Sequence, residues 1–108
     1  MTKRINIKAL SVNQAWQGRR YKTDAYIKYE KDMFLLLPNL EIPEGDLRLI
    51  ISVGFRAERS DIDNIAKPFI DILQKRYKFN DKRIYQLIMT KFIVKKGDEF
   101  IEFGFEAI

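Results

Sequence analysis

Residues 47–77 read Leu47-Arg48-Leu49-Ile50-Ile51-Ser52-Val53-Gly54-Phe55, then Arg56-Ala57-Glu58-Arg59-Ser60, then Asp61-Ile62-Asp63-Asn64-Ile65-Ala66-Lys67-Pro68-Phe69-Ile70-Asp71-Ile72-Leu73-Gln74-Lys75-Arg76-Tyr77. The first part alternates. Leu47, Leu49, Ile51, Val53 and Phe55 fall on one side, with Arg48, Ser52, Gly54 and Arg56 on the other, which is the pattern of a half-buried strand. After the polar loop the apolar spacing changes to Ile62, Ile65, Phe69, Ile72 and Leu73, the stripe of an amphipathic helix ending near Tyr77. Pro68 is tolerated only near a helix start, so the regular helix begins close to the acidic residues.

Outward from this strand–loop–helix unit, the remaining elements are shorter to state. Upstream, Arg4 to Leu10 alternates as a first strand, and a polar segment runs from Ser11 to Lys22. Thr23 or Asp24 can cap a helix carrying Tyr26, Ile27, Met33, Phe34 and Leu37, which Pro38 stops. Pro43-Glu44-Gly45-Asp46 then makes a turn. Downstream, Ile84 to Val94 is a long apolar strand, and Lys95-Lys96-Gly97-Asp98 reads as a hairpin turn. The last strand places Ile101, Phe103 and Phe105 opposite Glu102, Gly104 and Glu106. The order β-α-β-α-β-β predicts an α+β fold, one small domain over residues 1–108 with two helices packed on a mixed β-sheet.

Composition narrows the chemistry. The 108 residues contain no cysteine, and none is histidine. Disulfides, zinc–thiolate sites, imidazole ligands and every Ser-His or Cys-His mechanism are therefore excluded. The net charge of +5 and pI near 9.5 favour polyanionic partners through counterion release. Without a signal peptide or an apolar run long enough to span a bilayer, the expected setting is cytoplasmic, with no membrane partner.

Acids gathered in a basic chain are the informative exception. Asp63, Lys67 and Asp71 are spaced i, i+4, i+8 and share one helix face, while Asp61 lies just before them. Asn80-Asp81 follows the helix. If the fold returns Asp81 to the motif, three carboxylates become available to one Mg2+ or Mn2+, which favour hard oxygen ligands. Such a cation can acidify a water and neutralise phosphoryl charge, with Lys67 adding a positive charge at the reacting phosphate. The same residues admit a plainer reading. An Asp before a helix is a good N-cap, Asp63-Lys67-Asp71 can be a solvated ladder, and Asn-Asp is an ordinary turn pair.

The joint spacing of Asp61-Ile62-Asp63-Asn64, Lys67, Asp71-Ile72-Leu73 and Asn80-Asp81 resembles the RusA family of Holliday-junction resolvases. Ser11-Val12-Asn13 is similar to that family's segment after the first strand. The resemblance implies a homodimer that binds branched DNA, the four-way junction, and nicks two strands symmetrically with Mg2+ or Mn2+. It assigns catalysis to Asp61, Asp63, Lys67 and Asp81, and the metal to Asp61, Asp63 and Asp81. Where the family often has Asp at both positions of the late pair, this chain has Asn80. An inactive nucleic-acid-binding module of the same fold is the alternative that this departure raises, and a partner-binding protein with a basic surface for solubility is another. Arg19, Arg20 and Lys22 read as a basic arm, with Lys75, Lys78 and Lys82 flanking the late acid, all as phosphate contacts. Trp16 and Tyr21 either stack on unpaired bases or pack against the sheet.

Overall fold

A computed structural model describes residues 2–17 and 21–108. The elements, in chain order, are β1 (Lys3–Ile5), α1 (Val12–Ala15), β2 (Trp16–Gln17), β3 (Tyr21–Lys22), α2 (Asp24–Leu36), β4 (Leu47–Phe55), α3 (Asp63–Tyr77), β5 (Ile84–Ile93) and β6 (Phe100–Ala107), with a 3-10 turn over Asp81–Arg83. The four long elements after residue 46 and the helix before it stand where the sequence predicts them, and the mixed sheet with two main helices confirms the α+β class. No helix among the described residues is long and apolar enough to cross a membrane.

The alternation of β4 decides where the core lies. Leu47, Leu49, Ile51 and Val53 are completely buried. Ile101 and Phe103 of β6 continue that face, and Ile65, Phe69, Ile72 and Leu73 of α3 cover it together with Tyr26, Tyr29 and Met33 of α2. Phe69 meets Phe103 edge-on with ring centroids 5.5 Å apart, a favoured aromatic geometry. The last strand's apolar face thus belongs to the core through Ile101 and Phe103.

Both helices have legible ends. Thr23 caps α2, its Oγ1 accepting from the Tyr26 amide at 3.1 Å. On α2 the buried stripe is Tyr26, Tyr29, Met33 and Leu37, whereas Ile27 and Phe34, expected inside, are exposed. The i, i+3, i+7 spacing selects the tyrosines although the other two are the more apolar side chains. α3 ends on Lys78 in the left-handed region at φ 54°, whose amide donates to the Gln74 carbonyl at 2.8 Å. The chain beyond α2 is tied to this end of α3, with Tyr77 Oη donating to the Pro38 carbonyl at 2.6 Å.

Two sequence expectations are corrected. β1 is shorter than Arg4–Leu10, because the Ile7 amide turns back to the Ile5 carbonyl at 3.0 Å and ends the ladder. The turn at Lys95–Asp98 is present, with Asp98 N donating to Lys95 O at 2.9 Å, but it closes no hairpin. The sheet order is β1-β6-β4-β5. β4 lies between the strands that the turn joins, parallel to β5 and antiparallel to β6. The β4-α3-β5 crossover makes the parallel pair, as short-range crossovers through a helix do. β5 is left as an edge strand, and side chains on both its faces, Tyr85, Leu87, Ile88, Phe92 and Ile93, are exposed.

Candidate active site

The acidic motif sits where β4 hands over to α3. A turn closed by Ser60 N donating to Ala57 O at 3.2 Å lifts the chain off the strand end. Asp61 follows, its Oδ2 accepting from Asn64 Nδ2 at 3.4 Å. Ile62 occupies the cap position of α3 in helical conformation, and no side chain caps this helix. Thr23 caps α2, whereas neither Asp61 nor Asp63 caps α3. Both are solvent-exposed at a helix start, where backbone amides and the helix dipole favour anionic groups.

Lys67 and Asp71 continue the Asp63 face, as their spacing requires. The Lys67 ammonium lies 3.6 Å from Asp71 Oδ2, and its side chain remains 66% exposed. The pair is therefore loose, and the lysine is available to a ligand approaching Asp63.

Beside Asp61 opens a cleft of about 370 Å³. Its lining includes Lys8, Arg56 and Arg59 set against Asp61 and Glu99, with Ser11 contributed from the segment before α1. Arg56 and Arg59 stand within a few residues of the motif and were legible by proximity alone. Lys8 was not, because only the docking of the β1–α1 connection against the start of α3 brings it there.

Asp81 lies elsewhere. Its amide donates to Gln74 Oε1 at 2.9 Å, which fixes it to the last turns of α3. That helix has 15 residues, so its two ends are about 22 Å apart at 1.5 Å per residue. Among the described residues no group of three or more potential ligands can hold one metal ion. Asp61 and Asp63 thus stand two residues apart in the chain at the start of α3, and Asp81 at its far end. Asn80 has a local task there, its Oδ1 accepting from Lys82 N at 2.9 Å as the cap of the 3-10 turn.

The basic residues divide likewise. Lys22 and Lys75 converge on Glu30, at 3.3 and 3.0 Å, in a seam between β3, α2 and α3. Partial burial works to raise the Glu30 carboxyl, but its hydrogen bonds and charge pairing with Lys75 and Lys22 outweigh this and hold it below the ordinary 4.5. Lys78 and Lys82 are exposed beside Asp81. Arg19 and Arg20 lie outside the described residues; in the small antiparallel β2–β3 pair Trp16 stands opposite Lys22 and Tyr21 opposite Gln17.

Asp61, at the start of α3, thus borders a cleft that also takes Lys8, Arg56 and Arg59. The family model of the RusA endodeoxyribonucleases matches residues 8–102, nearly the whole chain, and the protein belongs to that family. A comparison with curated proteins finds no match.

Proposed function

We propose that this endonuclease resolves four-way DNA junctions by paired nicks, acting as a homodimer with a divalent cation. The observation that carries the reading is the start of α3, where Asp61 borders the cleft of Lys8, Arg56 and Arg59 and neither it nor the exposed Asp63 caps the helix. The donor set fits Mg2+ or Mn2+: it is all oxygen, in a chain without histidine or cysteine, and such ions take few carboxylates and keep several waters. When bound, the cation would supply charge neutralisation at the scissile phosphate and acidify a water. Asp61 and Asp63 would hold it. The cleft cations would position the phosphates that flank the cut, and Lys67 would carry positive charge one helical turn beyond Asp63.

A dimer accounts for Asp81. The free edge of β5 runs ten residues without proline and with one charged side chain, an arrangement that invites strand pairing. A two-fold axis normal to the sheet would pair β5 with its copy antiparallel. The start of one β5 would then lie beside the end of the other. Asp81 directly precedes β5, whereas the loop before Asp61 rests on its end through Lys91, whose ammonium donates to Ser60 O at 3.0 Å. Each site would therefore combine Asp61 and Asp63 of one protomer with the partner subunit's Asp81. Asn80 does not argue for an inactive module, because capping the 3-10 turn asks only for a side-chain oxygen, which Asn and Asp both have.

The test is cleavage of a labelled synthetic four-way junction beside a linear duplex of the same sequence, with Mg2+, Mn2+ or EDTA. Paired nicks confined to the junction and dependent on metal are the expected result. Tight junction binding with no cut under any metal would overturn the enzymatic part of the proposal.

A further inference from the structure

β5 carries a single charged residue between Ile84 and Ile93, and that is Lys91. Edge strands commonly carry a lysine to discourage aggregation, and such a lysine turns its ammonium to water. Lys91 is exposed as well, but its ammonium also reaches back to the chain. It stands opposite Val53, on the sheet face that carries the helices. Its ammonium donates to two carbonyls of the β4–α3 loop, Glu58 O at 2.5 Å and Ser60 O at 3.0 Å. The loop has one internal backbone bond, Ser60 N to Ala57 O, which closes the turn but leaves its placement over the sheet open. Two convergent charge-assisted bonds to one cation supply that placement, and the second of them ends on the residue directly before Asp61.

We infer that Lys91 is a positioning residue for the acidic site: it fastens the 58–60 loop to the end of β5 and so sets where the Asp61 carboxylate stands relative to Asp63. The inference rests on the nuclease reading of that acid pair. Its physical content is entropic. Without the ammonium, both carbonyls are solvated equally well by water, but the loop samples many positions and each must be surrendered when a cation draws Asp61 in. A lysine in this position also links the free edge to the site, since whatever orders β5 orders the anchor of the loop.

The experiment compares the wild-type protein with Lys91→Met and Lys91→Arg on three readouts: the Mn2+ concentration for half-maximal junction cleavage, amide hydrogen exchange over residues 57–62, and sedimentation. Lys91→Met is expected to raise the Mn2+ requirement by about ten-fold or more, as loss of a group that orients a metal ligand does. It should also speed exchange in the loop while leaving the sedimentation coefficient unchanged. Lys91→Arg, whose guanidinium can serve both carbonyls, should restore metal requirement and exchange together. A Met variant with wild-type Mn2+ requirement and wild-type loop exchange would overturn the inference. So would one whose losses appear only with a change in sedimentation, since the effect would then belong to the edge. A wild-type protein that cuts no junction would instead remove the nuclease reading, and the exchange arm would still decide whether Lys91 holds the loop.

Discussion

Replacing Asp63 by Asn exchanges one carboxylate oxygen for an amide nitrogen at nearly constant volume. Asp63 is exposed and caps nothing, so Asp63→Asn should fold normally. Junction cleavage should fall by about 100-fold or more, while binding measured in EDTA stays equal or tightens because one negative charge facing phosphate is gone. Gel-shift and cleavage assays on the same preparation check both halves. Glu30 offers a second test at this scale. Its carboxyl is held below 4.5 in the folded chain, chiefly against its own burial, by Lys75 and Lys22. A depressed carboxylate contributes stability that is fully present above its unfolded pKa and is lost as pH falls through the folded value. Thermal unfolding of Glu30→Gln should therefore lose less stability than wild type below about pH 4.5, and parallel acid limbs for the two proteins would contradict the ion-pair account. The acids of the motif were legible as candidates because their spacing is unusual in a basic chain. That Lys22 and Lys75 face Glu30 was not, since the three lie on separate elements.

Among the elements, β4 is the most determined. It pairs on both edges and buries one complete face, and its glycine has a steric reason. A Cβ on Gly54 would lie 2.5 Å from two ring atoms of Phe100, the residue opposite it on β6. Phe100 has little room to yield, with Arg4 stacked 3.9 Å from its ring centroid and Phe92 beside it. Gly54→Ala should destabilise the domain by about 1–3 kcal/mol through overpacking, read as a lower urea midpoint at unchanged m-value. The same change in a Phe100→Leu background should cost distinctly less. The identities of α2, β4, α3, β5 and β6 were readable from period alone, whereas α1, β2 and β3 fall in a stretch that reads only as polar. Strand adjacency was not: a turn of good sequence between two apolar strands reads as a hairpin whether or not a third strand comes between them. The long apolar run of β5 likewise reads as buried until its neighbours are known. On the edge, Ile88→Lys would place a charge in the middle of the exposed strand; if β5 pairs with its copy as proposed, the change should lower the sedimentation coefficient and leave the fold intact.

For the whole molecule, the separation of Asp81 from Asp61 and Asp63 gives a decisive mixing experiment. Asp63→Asn and Asp81→Asn are each expected to be inactive alone. If the sites are shared across a two-fold, a mixed dimer holds one site with both changes and one with neither. Mixing should then restore nicking of one strand per junction but not paired cuts, which denaturing and native gels distinguish. If each site is built within one chain, mixing restores nothing. What the sequence determined by itself is the local chemistry: the strand–loop–helix unit, the acids at its joint, the absence of histidine and cysteine, and a basic surface for a polyanion. These follow from residue type and short-range spacing, over which the backbone period is constant. What only the tertiary structure decided is which distant residues meet. It carried Lys8 to Asp61, closed Lys22 and Lys75 on Glu30, put β4 between β5 and β6, and held Asp81 a helix length from its expected companions. The reason is geometric: a 15-residue helix that crosses over a sheet must separate whatever precedes it from whatever follows, and no spacing in the sequence records which side of the molecule each end reaches.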